Sequence, residues 1–203
     1  MPDAGALAYP QIMSKARLEA FSDGVLAILI TIMVLELKVP RGADLEALRP
    51  VLSTLLTYVL SFVYVGIYWN NHHHMLHMTT RINGAILWAN LHLLFWLSLV
   101  PFTTGWMGEH GLSPVPVAVY GCVLFCAGVA YLILQNAIIA AQGEGSILRA
   151  AVGRDLKGKA SAVLYATAIA LSFTLPWASG ALYVGVALMW LVPDPRIEAR
   201  LAR

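Results

Sequence analysis

Early in this 203-residue chain, an apolar run from Gly24-Val25-Leu26-Ala27-Ile28-Leu29 to Ile30-Thr31-Ile32-Met33-Val34-Leu35 follows directly on Arg17-Leu18-Glu19-Ala20-Phe21-Ser22-Asp23. As one helix from Ala16 to Leu35 it reaches about 30 Å at ~1.5 Å per residue, enough to cross the hydrocarbon core of a bilayer. Charged side chains are normally kept out of such a segment because burying them in lipid is costly. An arginine and an aspartate at its mouth therefore call for partners.

Composition extends the reading to the whole chain. Hydrophobic residues make up 59% and charged residues 12%, with a mean hydropathy of +0.72. Soluble domains carry roughly 25% charge, so the expected class is an all-α, polytopic membrane protein. Six spans fit the pattern, at about 16–37, 50–70, 83–106, 115–141, 160–177 and 179–192, and leave no room for a separate soluble domain. Residues 1–203 then form one transmembrane domain. Lys38-Val39-Pro40 closes the first span and a polar loop from Arg41 to Arg49 follows. The second span is expected to end in Asn70-Asn71-His72-His73-His74, the third to contain Pro101, and the last two to meet at Ala178-Ser179-Gly180 before Pro193-Asp194-Pro195.

Basic residues orient the chain. With an inner N-terminus, Lys15, Arg17, Arg81, Arg149, Arg154, Lys157, Lys159, Arg196, Arg200 and Arg203 lie inside, against Lys38, Arg41 and Arg49 outside. Both termini are thus expected in the cytoplasm. Met1 to Ser14 lacks the features of a cleavable signal, so the first span is expected to target itself. A net charge of +2 is too small to suggest nucleic acid as a partner.

At ~100° per residue, Ile28, Ile32 and Leu35 share a stripe of the first helix, with Thr31, Gly24 and Phe21 near it and Asp23 roughly opposite. Any spanning helix packs an aliphatic face, so the stripe by itself fits core packing. Arg17 and Asp23, about 120° apart on the helix, need partners elsewhere. Candidates are Trp69, Asn71, His72, His73 and His77 in the second span and Asn90 and His92 in the third. His73 and His77 have a spacing that can hold a metal, but a zinc site needs three or four ligands and no cysteine or carboxylate is near in sequence. Packing and hydrogen bonding is the preferred reading of these histidines, and no metal or cofactor is expected. A pH-sensitive role is the second reading: His73→Gln should then flatten the pH dependence of flux, and an unchanged profile counts against it. Cys122 and Cys126, four apart, read as small apolar residues on one helix face. Trp88, Trp96, Trp106, Trp177 and Trp190 read as interface belts or packing. Neither a Gly-x-Ser-x-Gly elbow nor a His-Glu-x-x-His helix is present, so no enzyme is expected.

The motif Arg17-x-x-x-Phe21-Ser22-Asp23 resembles the signature of the transmembrane protein 175 family of potassium channels. Trp69-x-x-His72-His73 and Leu87-Trp88-Ala89-Asn90-Leu91-His92-Leu93-Leu94 resemble that family's second and third helices, and Pro101-Phe102-x-Thr104 with Gly108-Glu109 its third-helix ending. Spans four to six match only in general character. The resemblance implies a pore lined by the first helix of each subunit, with Ile28 at the main constriction, Leu35 at an outer one, Ile32 on the same stripe and Thr31 as the pore hydroxyl. It implies that Arg17, Phe21, Ser22, Asp23, Trp69, His72, His73 and Asn90 form the signature and a network bracing that helix. The motif occurs once, and a single helix cannot surround a pore, so four chains are expected, as in prokaryotic members. The expected location is the plasma membrane of a prokaryote. A hydrophobic constriction gates by dewetting and favours the ion that sheds water more readily, which gives a modest preference for potassium over sodium. No Thr-Val-Gly-Tyr-Gly filter loop is present.

Two other readings compete. A proton-coupled secondary cation transporter could use Asp23 and the histidine cluster, with Pro101 and Pro176 as broken-helix marks; kinks at helix ends are preferred, because the chain shows no repeated halves. A structural membrane protein without flux is the third.

Overall fold

The computed structural model describes residues 14–153 and 155–191. Helix α1 (Lys15–Met33) is started by Ser14, whose hydroxyl accepts from the Arg17 amide, and tightens into a 3₁₀ turn at Val34–Glu36. Asp44 caps a second 3₁₀ stretch, Leu45–Val51, that feeds α2 (Leu52–His77). The expected end of the second span at residue 70 is corrected here. Hydropathy falls at Asn70-Asn71, but nothing in that stretch breaks a helix, so α2 carries the histidines on its last turns.

Asn83 caps α3 (Gly84–Ser98), and the chain breaks at Leu99 before resuming as α4 (Val100–His110). The expected third span is thus one membrane-long stretch, Gly84–His110, kinked at Leu99. Pro101 lacks an N–H and its ring crowds the carbonyl four residues back, at Leu97. Helix α5 (Pro114–Gln142) is the longest; short α6 (Ile147–Val152) precedes α7 (Leu156–Leu171) and α8 (Pro176–Leu191). Pro176 opens α8, where a missing donor costs little, so the link is Ser172–Leu175 and not the expected Ala178–Gly180. Arg154, the arginines at 196, 200 and 203, the segment 193–195 and residues 1–13 lie outside the described residues.

Four helical stretches, Lys15–Glu36, Leu45–His77, Gly84–His110 and Pro114–Gly145, are long and apolar enough to cross a membrane. Helices α7 and α8 have 16 residues each, about 24 Å. The chain is an all-α polytopic membrane protein.

Two apolar clusters hold the bundle. In one, Leu26, Leu29 and Met33 of α1 join Leu93 and Leu97 of α3, Val65 of α2 and Leu134 of α5. In the other, Tyr64, Tyr120, Tyr165 and Tyr183 gather α2, α5, α7 and α8 around Val117, Leu124 and Val186. Small residues set the spacing. A Cβ on Gly108 would lie 2.8 Å from the Thr54 Cα, so glycine lets α4 press on the α2 backbone. Buried polar groups are paired: the hydroxyls of Thr104, Ser61 and Tyr120 form a chain across α4, α2 and α5, at 2.7 and 3.0 Å. Tyr64 donates to the Tyr183 carbonyl at 2.6 Å.

Candidate pore helix and its polar brace

One face of α1 is buried and the other is open. Leu18, Ser22, Leu26, Leu29 and Met33 face the bundle, against α2, α3 and α4. Arg17, Phe21, Gly24, Ile28, Thr31 and Leu35, which recur every three or four residues, are exposed. Ile28 is 57% exposed, Ile32 42% and Leu35 77%. The chain by itself thus leaves uncovered the same aliphatic stripe that the helical period singles out. The Thr31 hydroxyl donates back to its own helix, at 2.9 Å to the Ile28 carbonyl, so only its oxygen lone pairs are left to face outward.

The buried face carries a polar joint. Ser22 and Asn90 are fully buried and His72 is 2% exposed. His72 Nε2 lies 2.7 Å from Asn90 Oδ1, Asn90 Nδ2 donates to Ser22 Oγ at 3.0 Å, and Ser22 Oγ donates to the Leu18 carbonyl at 2.9 Å. The chain runs one way, which requires the His72 tautomer with its proton on Nε2. One residue from each of three helices therefore locks α1 to α2 and α3, and every donor has an acceptor. At the rim, Trp69 Nε1 donates to Asp23 Oδ1 at 3.0 Å. Lys15 Nζ donates to the His77 carbonyl at 2.9 Å and lies 3.8 Å from Glu19.

Of the candidate residues, the structure joins Ser22, Asp23, Trp69, His72 and Asn90. Arg17 and Phe21 stay on the open face. His73 does not reach α1; it stacks between Trp69 and His77, with ring centroids 6.2 Å from each. His92 accepts from Trp96 on its own helix, and Asn71 donates to the Ile67 carbonyl on its own. Among the described residues no three His, Cys, Asp or Glu side chains form a metal-binding group.

The C-terminal end of α1 has a second attachment, through the turn that follows it, that sequence reasoning missed. The Glu36 side chain lies against Gly105 of α4, where an added Cβ would sit 2.6 Å from a carboxylate oxygen. Lys38 pairs with Glu109, and that hydrogen bond and charge hold the Lys38 ammonium above its usual range. The two glutamates and Lys38, with Thr54 and His110, line an open cavity of about 370 Å³. The only signal in the sequence was Gly108-Glu109, and it carried no partner.

Known proteins resemble this chain in sequence and in fold. The profile of a family described as the endosomal/lysosomal potassium channel TMEM175 matches residues 17–101, which span the motif, the joint and the start of α4. A protein of Chryseobacterium sp. (strain P1-3) named as a potassium channel is 54% identical over 189 residues, covering 93% of this chain and 98% of its own. A zebrafish (Danio rerio) protein named as an endosomal/lysosomal proton channel, TMEM175, is 28% identical over 135 residues, 64% of this chain but 25% of its own. A crystal structure of a lysosomal potassium-selective channel TMEM175 homolog from Chamaesiphon minutus superimposes with a TM-score of 0.75 at 29% identity, covering 88% of this chain and 96% of that one. With the family profile matching residues 17–101 and similarity to a bacterial relative reaching over nearly the whole length, the chain belongs to the TMEM175 family.

Proposed function

We propose that this protein is a potassium channel, in which four copies place their α1 helices around a common axis. The observation that carries this reading is the open face of α1. Held at its back by Ser22 and at its outer end by Glu36 and Lys38, the helix still leaves Ile28, Ile32 and Leu35 uncovered in one chain. The same face bears Arg17 and Thr31, whose polar groups suit a water-filled axis better than lipid. The names of the bacterial relatives agree with the ion.

In this arrangement Ile28 and Leu35 form two aliphatic rings, with Thr31 between them and Ile32 beside them. Water leaves a narrow apolar ring readily, so the ring closes the path by dewetting and sets the dehydration cost of an ion in the open path. Ser22, Asp23, Trp69, His72 and Asn90 act on the ion only through the position of α1, His73 supports Trp69 by stacking on it, and Arg17 and Phe21 stand on the open face itself. Residues 1–203 form one domain of six spans, α7 and α8 supplying the last two, in a prokaryotic plasma membrane with both termini inside. The protein needs no cofactor and is not an enzyme.

Flux into liposomes containing the purified protein tests the proposal. Wild type should pass potassium down its gradient in preference to sodium, and Ile28→Asn should raise total flux while cutting the preference several-fold. Flux that appears only with an imposed proton gradient, and disappears in Asp23→Asn, overturns the channel reading in favour of a proton-coupled transporter.

A further inference from the structure

Four helices leave a cavity of about 70 Å³ between α2, α5, α7 and α8. At ~10–15 Å³ per water it has room for roughly five waters. Its walls are aromatic: Tyr64 and Tyr68 from α2, Phe125 and Tyr131 from α5, Tyr165 from α7 and Trp190 from α8. The rings form walls and not a stack, with Tyr64 and Tyr165 tilted at 47° and Tyr68 and Tyr131 at 65°.

The polar groups of this wall are largely spent. Tyr64 donates to the Tyr183 carbonyl, Tyr131 to the Asn71 carbonyl at 3.3 Å, and Trp190 Nε1 to Ser161 Oγ at 2.8 Å. These donors are not free to greet an anion. One charged side chain lines the cavity, Asp155, and it is a carboxylate. It is held by the one non-glycine residue with a left-handed backbone among those described, at φ 43°, and its Oδ1 accepts from the Gly158 amide at 3.0 Å. Strain of that kind persists where the surroundings over-determine it. One wall ring already takes a cation: the Lys157 ammonium lies 5.9 Å from the centroid of Trp190.

Aromatic walls, a single carboxylate and committed donors are the chemistry that recognises an alkylated or primary ammonium group. We propose that this cavity binds an organic ammonium of the size of an ethanolammonium or trimethylammonium group, supplied by a phospholipid headgroup or by a free amine. The site adjoins the conducting path through one element. Helix α2 gives Tyr64, Tyr68 and Asn71 to the cavity, and Trp69 and His72 to the joint with α1.

Native mass spectrometry of the full-length protein tests this, with phosphatidylethanolamine and phosphatidylglycerol offered together and ethanolamine as competitor. Asp155→Asn removes the charge but keeps a residue that caps helices and tolerates the left-handed backbone. Gly128→Leu leaves the charge and fills the space, because a Cβ there already points to within 3.8 Å of the Tyr68 hydroxyl. Wild type should retain phosphatidylethanolamine about tenfold better than phosphatidylglycerol, roughly one charge contact, and both variants should lose that preference. Retention of ethanolamine alone, lost in both variants, supports the site with a free amine as its source. Equal retention of the two lipids with no amine bound, or a preference that survives both substitutions, overturns it.

Discussion

Asn90→Leu is expected to destabilise the protein by about 2–4 kcal/mol, seen as a lower midpoint of thermal unfolding in detergent. The size follows from what is lost: the buried His72 ring N–H is left without an acceptor, at about 1–3 kcal/mol, and the Ser22 hydroxyl loses the bond it accepts, at about 0.5–1.5 kcal/mol, while keeping the one it donates to the Leu18 carbonyl. The His72→Leu/Asn90→Leu double variant should lose less than the sum of the two single changes, because removing both partners leaves no orphan between them. Strict additivity, or a loss below about 0.5 kcal/mol for Asn90→Leu, would show that the joint is not what holds α1.

Gly121→Leu should be more damaging still. A Cβ at this position of α5 would lie 2.0 Å from the Tyr183 hydroxyl, 2.7 Å from its Cζ and 2.9 Å from Ile169 Cγ1. Tyr183 cannot step aside: it is fully buried, its hydroxyl donates to the Val117 carbonyl at 3.1 Å, and its own carbonyl accepts from Tyr64. Overpacking of this kind costs ~3 kcal/mol or more, enough to keep α8 from docking. Little monodisperse protein should elute on size exclusion in detergent. Gly185→Ala, on an exposed face of α8 with nothing within 4 Å, should elute like wild type. Equal yields from the two variants would contradict the packing described for α5 and α8.

The face of α1 was legible in the sequence because a 3.6-residue period sorts a helix into two sides without help from the rest of the chain. The members of the joint were legible as a set, but their pairing was not. Asn90 and His92 are two residues apart on α3 and point to different sides, so one meets His72 and the other turns to Trp96. Which side faces α1 is decided by packing and not by composition. The end of α2 was misplaced because hydropathy reports where lipid ends, whereas the helix continues as long as backbone bonds can form. Pro101 announced a disturbance, but a kink and a break look alike until the neighbouring helices are in place. Glu36 against Gly105 joins residues far apart in the chain, and neither looks unusual where it stands.

The joint formed by Ser22, Asn90 and His72 also has an electrical consequence. A membrane potential does work only on charge, about 2.3 kcal/mol per elementary charge per 100 mV. With His72 neutral, as its bond to the Asn90 carbonyl oxygen allows, the three side chains carry none. A change of voltage therefore stores no energy in the contact that seats α1. The field acts on that helix through the charges near its two ends, where both signs occur together: Lys15, Arg17, Glu19 and Asp23 at one, and Glu36 and Lys38 at the other.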